Sequence, residues 1–193
     1  MSKHFNSGNV FGKVVGEIEH KISGGGKDFI SFEMNVSGAK CGSARAFCRM
    51  WGKERFEPFV AAVKANQQGR FALKGFFGQY WTEQNEVFSN YTIFEWSERD
   101  SAPRAAFILK GLAENVMPVK GGQRILLKLK RDGQEEESFE LINPDEKLLD
   151  QPVHGDEIEV KGYLRQEQPE DDFGGSSGPV RAFIEVLKIN KEG

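Results

Sequence analysis

Hydrophobic and polar positions alternate with period two through most of this chain, as they do in strands with one face buried and one in water. Residues 29–36 send Ile30, Phe32, Met34 and Val36 to one side and Phe29, Ser31, Glu33 and Asn35 to the other. A strand-like stretch at 10–20 precedes them, across a turn rich in glycine at 23–27. Residues 43–52 follow, with Ala44, Ala46, Cys48 and Met50 on one face and Arg45, Phe47, Arg49 and Trp51 on the other. The period then changes. Residues 54–66 space Phe56, Phe59, Val60 and Val63 for a helix that ends near Gly69. Two more strands are predicted at 71–83 and 85–97.

Strand, strand, strand, helix, strand, strand is the element order of the OB-fold, a five-stranded Greek-key barrel whose second and third strands present the binding face. After a short linker at 101–103 the order recurs. Strand-like segments lie at 106–116, 125–130, 138–142, 157–165 and 180–189, with a turn at Asp132-Gly133 and a short connection at 143–150 in place of the helix. The expectation is therefore an all-β chain of two tandem OB-folds, residues 1–100 and 104–193, the second with a long loop at 166–179. A single large β-sandwich has similar strand spacing and is the alternative.

Composition sharpens the contrast between the halves. Residues 1–100 hold 13 Lys and Arg against 11 Asp and Glu; residues 101–193 hold 13 against 18. Of 22 aromatic residues, 17 lie in the first hundred, including all three Trp. One half is mildly basic and aromatic, the other acidic and poor in rings. The alternation of guanidinium and ring on the outward face of 43–52 is not something core packing requires. Cations suit phosphates and flat rings suit bases, which points to single-stranded nucleic acid.

Four segments extend this reading: Val14-Val-Gly-Glu-Ile18, Arg49-Met-Trp-Gly-Lys53, the helix that follows, and Tyr80-Trp-Thr-Glu-Gln84. Together, from about Asn9 to Trp96, they resemble the bacterial and phage single-stranded DNA-binding protein family, most of whose members have one OB-fold per chain and some two. The resemblance implies a non-enzymatic protein that coats exposed strands in replication, recombination, repair or plasmid and phage DNA transfer, without a cofactor. It places stacking aromatics at Trp51 and Trp81. A further stacking position of that family falls on Arg45, with Phe47 two residues along on the same face.

The candidate nucleic-acid contacts are thus Arg45, Phe47, Arg49, Trp51 and Trp81. Phe29, Lys53, Tyr80, Arg70 and Lys74 form a second tier. For Phe29, packing on the neighbouring strand is as good a reading as a place beside the bases, and Glu33 on the same face repels phosphate. An acidic run ending in Phe173 resembles in composition the acidic, hydrophobic-tipped tail of that family, so Asp171, Asp172 and Phe173 are candidates for recruiting replication or recombination proteins. In the second half, Glu135, Glu136 and Glu137 offset Lys128 and Lys130 across a turn, leaving a poor stacking platform.

Other chemistry is excluded by the residues themselves. The run GGGKD at 24–28 lacks phosphate-loop spacing and no helix follows it. Two Cys and three scattered His offer neither a disulfide framework nor a metal set. No catalytic constellation stands out. With no apolar run of membrane length and no apolar leader, the expected location is cytoplasmic, with no membrane partner. Two alternatives stay open: an OB-fold assembly module that buries its Trp- and Arg-bearing face against a protein, and a single-stranded RNA binder. Monomer and homodimer are equally compatible with the sequence.

Overall fold

In a computed structural model of the chain, residues 4–39, 41–42, 44–81, 87–119, 122–130, 135–144, 152–167 and 181–191 are described. The chain divides into two compact units, Ser7–Ala105 and Ala106–Gly193, the latter together with Met1–Asn6.

The first unit holds β1 (Phe5–Ile22, its first two residues apart), β2 (Asp28–Asn35), β3 (Arg45–Trp51), α1 (Lys53–Ala65), β4 (Phe71–Trp81) and β5 (Val87–Glu98). β1 pairs β2, β2 pairs β3, and β3 runs parallel to β5. β5 then pairs β4, and β4 returns to β1. Five strands in the order 1-2-3-5-4 close on themselves, with a helix between the third and fourth: this is an OB-fold. β1 is longer than its side-chain pattern predicts because it serves two partners. Its first part pairs β4 through Gly12, and its second pairs β2 past an irregularity between Val15 and Glu19. β4 likewise slips register against β5 between Lys74 and Gly75. A Cβ at Gly75 would lie 2.1 Å from the Thr92 carbonyl oxygen, so this crossing admits no larger residue.

The alternation read from the sequence is the alternation of burial. Ala46, Cys48 and Met50 of β3 are at most 1% exposed, and Ile30, Phe32 and Met34 of β2 join them. α1 starts at Gly52, whose carbonyl accepts from the amides of Arg55 and Phe56. The helix buries Phe56 and Phe59. Phe59 sits among Phe32, Phe71 and Trp96, with ring centroids 4.9 to 5.5 Å away. Aromatic pairs at such separations add about 0.5–1.5 kcal/mol each beyond their burial. Trp96 is thus a half-buried residue packed against the core, and Tyr91 is fully buried.

The second unit holds β6 (Arg104–Val119, its first two residues apart), β7 (Gly122–Leu129), β8 (Glu137–Asn143), β9 (Glu157–Glu167) and β10 (Arg181–Lys191). Its pairings repeat the first unit: β6 with β7, β7 with β8, β8 parallel to β10, β10 with β9, and β9 with β6. Phe107, Leu109, Ile125, Leu127, Phe139 and Val160 fill its core. The ten strands and the helix agree with the sequence expectation of two OB-folds, with ends moved by a few residues. The expected turn at Asp132-Gly133 and most of the 143–150 connection lie outside the described residues.

Candidate nucleic-acid interface

The barrel of the first unit leaves one face of β3 outward. Arg45, Phe47 and Arg49 are exposed there, Phe47 by 50%, while Trp51 is half-buried. Cross-strand register sets β2 beside them: Asn35 faces Arg45, Glu33 faces Phe47, Ser31 faces Arg49 and Phe29 faces Trp51. On the other flank, parallel pairing of Cys48 with Tyr91 brings Asn90 of β5 next to Phe47. β4 continues the surface, with Tyr80 opposite Phe88 and Gly78 opposite Asn90. The missing side chain at Gly78 leaves space that Asn90 uses: a Cβ there would come within 2.9 Å of its Oδ1.

These side chains line one groove of about 590 Å³, with Arg45, Phe47 and Arg49 along it and Tyr80, Phe88 and Asn90 at its β4–β5 side. Tyr80 and Phe88 stack nearly parallel, centroids 5.5 Å apart at 16°. Both are over 40% exposed. Beyond the groove, Phe29 and Trp51 pack together at 4.5 Å. Phe29 thus packs on the neighbouring strand, and with Trp51 it makes a two-ring platform. That platform adjoins a second hollow of about 490 Å³ whose lining mixes Lys27, Lys53 and Arg55 with Asp28 and Glu54 beside Trp51.

The charges of the groove are mixed. Arg45 holds Glu33 at 3.1 Å, an exposed pair that contributes little to stability and leaves both groups near the ligand face. Arg49 has no carboxylate partner among the described residues, which makes it the less compensated cation. Lys21 hydrogen-bonds Glu19 and, with its charge, holds that carboxyl below the usual carboxylate range; the Ser31 hydroxyl donates to the same group. Glu19 therefore remains ionised at the groove wall.

Other predicted residues are placed elsewhere. Arg70 pairs Asp100 at 2.9 Å near the start of β4, at the opposite end of that strand from Tyr80. Lys74 lies 3.6 Å from Glu95 and 6.0 Å from the Phe94 ring centroid. Lys53 begins α1 and approaches Asp28 at 3.7 Å. None of the three lines the groove. Trp81 closes β4 opposite Val87, and its side chain lies outside the described residues, as do Asp171, Asp172 and Phe173. The phenylalanines of β4 and β5, Phe76, Phe77, Phe88 and Phe94, divide between core and surface. Phe77 is buried, and the other three are about 40% exposed. Phe88 and Asn90 were not predicted as site residues. Their signal was the alternation against buried Tyr91 and Ile93, which puts Phe88, Asn90, Thr92 and Phe94 outward together.

The second unit presents no comparable face among its described residues. Lys128, the cation best placed on its strand, is held by Glu114 at 2.6 Å and Glu136 at 3.1 Å. Hydrogen bonds to these two raise its pKa above the ordinary lysine value.

No family model matches the sequence, and no curated protein sequence matches it. Solved structures do. The wild-type single-stranded DNA binding protein from Thermus aquaticus aligns with a TM-score of 0.69 at 12% identity, covering 100% of this chain and 95% of that one. A deletion mutant of the same protein gives 0.64 at 13%, covering 100% and 96%. At such identity the likeness is one of fold, over the whole of this chain and nearly all of the other. No helix among the described residues is long and apolar enough to cross a membrane.

Proposed function

We propose that this chain binds single-stranded DNA with little sequence preference, and that the first OB-fold supplies most of the affinity. The observation that carries the proposal is the outward face of β3. There, two guanidiniums flank a half-exposed Phe47 in a groove that Tyr80 and Phe88 extend. Exposing a large ring between cations costs hydration and gains nothing for the barrel, whereas bases stack on such rings for about 1–3 kcal/mol each. Arg45 and Arg49 contact phosphates on either side of a stacked base. The fold neighbour from Thermus aquaticus is itself a single-stranded DNA binding protein, which supports the reading.

The second OB-fold plays a lesser part in the ligand contact, since Lys128 is already neutralised by Glu114 and Glu136. The cellular role that follows is protection of exposed strands during replication, recombination or repair.

Titration with oligo-dT tests the proposal. Trp51 lies at the end of the platform, so its fluorescence is quenched on binding, and the affinity falls as salt rises through counterion release. An absence of both binding and quenching at low salt overturns it. Equal-length oligo-U run beside oligo-dT identifies an RNA binder by the reverse preference.

A further inference from the structure

Glu33 is an anomaly in a groove meant for a polyanion. It stands directly across from Phe47 in the β2–β3 ladder, the ring on which a base would stack. Cross-strand neighbours of this kind have Cβ atoms about 4.5–5.5 Å apart. The carboxylate thus reaches the edge of whatever covers the Phe47 ring. Its Oε2 is held by Arg45 at 3.1 Å, which fixes the group in place and leaves its other oxygen unengaged by that bond. An ionised carboxylate only accepts hydrogen bonds. Facing a base edge, it favours an exocyclic amino group and disfavours a carbonyl.

We infer that Glu33 is a specificity-determining residue of the groove, which reads the amino group of a base stacked on Phe47 and so prefers cytosine to uracil or thymine at that position. Cytosine presents an N4 amino donor where thymine and uracil present an O4 acceptor. The cost of a carboxylate near phosphates is then offset by a hydrogen bond at the exocyclic position, where cytosine and adenine present an amino donor and thymine and uracil a carbonyl, their N3–H lying one atom farther along the edge. Asn90, on the other side of Phe47, carries an amide with both donor and acceptor, so it discriminates far less. This inference rests on the proposed binding of single strands and gives the direction of the slight preference left within an otherwise tolerant surface.

Oligo-dC and oligo-dU of equal length form the clean comparison, because uracil also lacks the thymine methyl. Affinities are measured on the full chain at slightly alkaline pH, where cytosine N3 carries no proton, for the native protein and for Glu33→Gln. Glutamine keeps the shape but can donate as well as accept. The native protein should hold oligo-dC about fivefold tighter relative to oligo-dU than the variant does, the net size of one ordinary hydrogen bond. Both oligonucleotides should bind the variant somewhat more tightly, because a negative charge is gone. The ratio is what the inference stands on. If both bind and Glu33→Gln leaves the ratio unchanged, the inference is overturned while the binding function stands. Binding of neither overturns the function and the inference together. Oligo-dA and an abasic strand add an independent check: the variant should lose relative affinity for the first and not for the second, and equal changes in both overturn base reading.

Discussion

Replacing Phe47 by Ala separates ligand binding from folding more cleanly than any other single change in this chain. The ring is 50% exposed, while its strand neighbours Ala46 and Cys48 are fully inside. Complete burial of a Phe is worth about 1.5–3 kcal/mol, so removing a half-covered ring costs the fold on the order of 1 kcal/mol. A base stacked on it loses about 1–3 kcal/mol, or roughly 5- to 150-fold in affinity. The assay is fluorescence anisotropy of a labelled oligo-dT at several salt concentrations, with thermal unfolding followed in parallel. Expected is a large drop in affinity at every salt concentration, an unchanged slope of log affinity against log salt, and a melting temperature lowered by a few degrees. The unchanged slope matters because Phe47 contacts no phosphate. An affinity within twofold of native would refute the stacking role. So would a loss confined to low salt with a flattened slope, which would mean that the ring acts only by positioning Arg45 and Arg49.

Three further outcomes are expected. Arg49→Ala should lower the salt slope by about 0.7, the value of one single-strand phosphate contact, and should cost more affinity than Arg45→Ala, since Arg45 is partly neutralised by Glu33. Asp156 accepts from the Val153 amide at 2.9 Å and pairs Lys191 at 3.2 Å, and these hold its carboxyl below the usual range. A depressed pKa stabilises the fold above the unfolded carboxylate range and ceases to do so as pH falls through the folded value; thermal melts of Asp156→Asn should therefore fall below native at neutral pH and converge with it on acidification. Cys41 and Cys48 are at most 1% exposed, and burial pushes the Cys48 thiol far above its ordinary pKa. Neither should react with a thiol reagent before denaturation, and prompt labelling of native protein would contradict the packing of β3.

The strands were legible because each has one wet face and one dry face, and burial follows that alternation residue by residue in β2 and β3. The ends were less so. β1 runs on beyond the stretch read at 10–20, because Lys21 and Ile22 pair with Phe29 and Asp28 of β2, a backbone contact without a side-chain signal. The outward face of β3, Arg45 to Trp51, was readable because its oddity is local: rings and cations where water alone should be. Arg70 and Lys74 were not placeable, because what occupies them is distant in sequence: Asp100 and Glu95 arrive from the far side of a hairpin. Phe88 and Asn90 join the groove only through the β3–β5 pairing, a contact across some forty residues that no local pattern encodes.

The two-sided construction of β3 bears on how such a barrel changes over evolutionary time. Cys48 and Met50 answer to a close-packed interior, where a gained or lost methylene is felt at once. Arg45, Phe47 and Arg49, interleaved with them, face mainly solvent. Apart from half-buried Trp51, each side chain of the strand faces one way only, so drift on the outer positions does not propagate inward. The barrel can exchange its outer rings and cations and still keep its shape, as a fold shared with another protein at 12% identity illustrates.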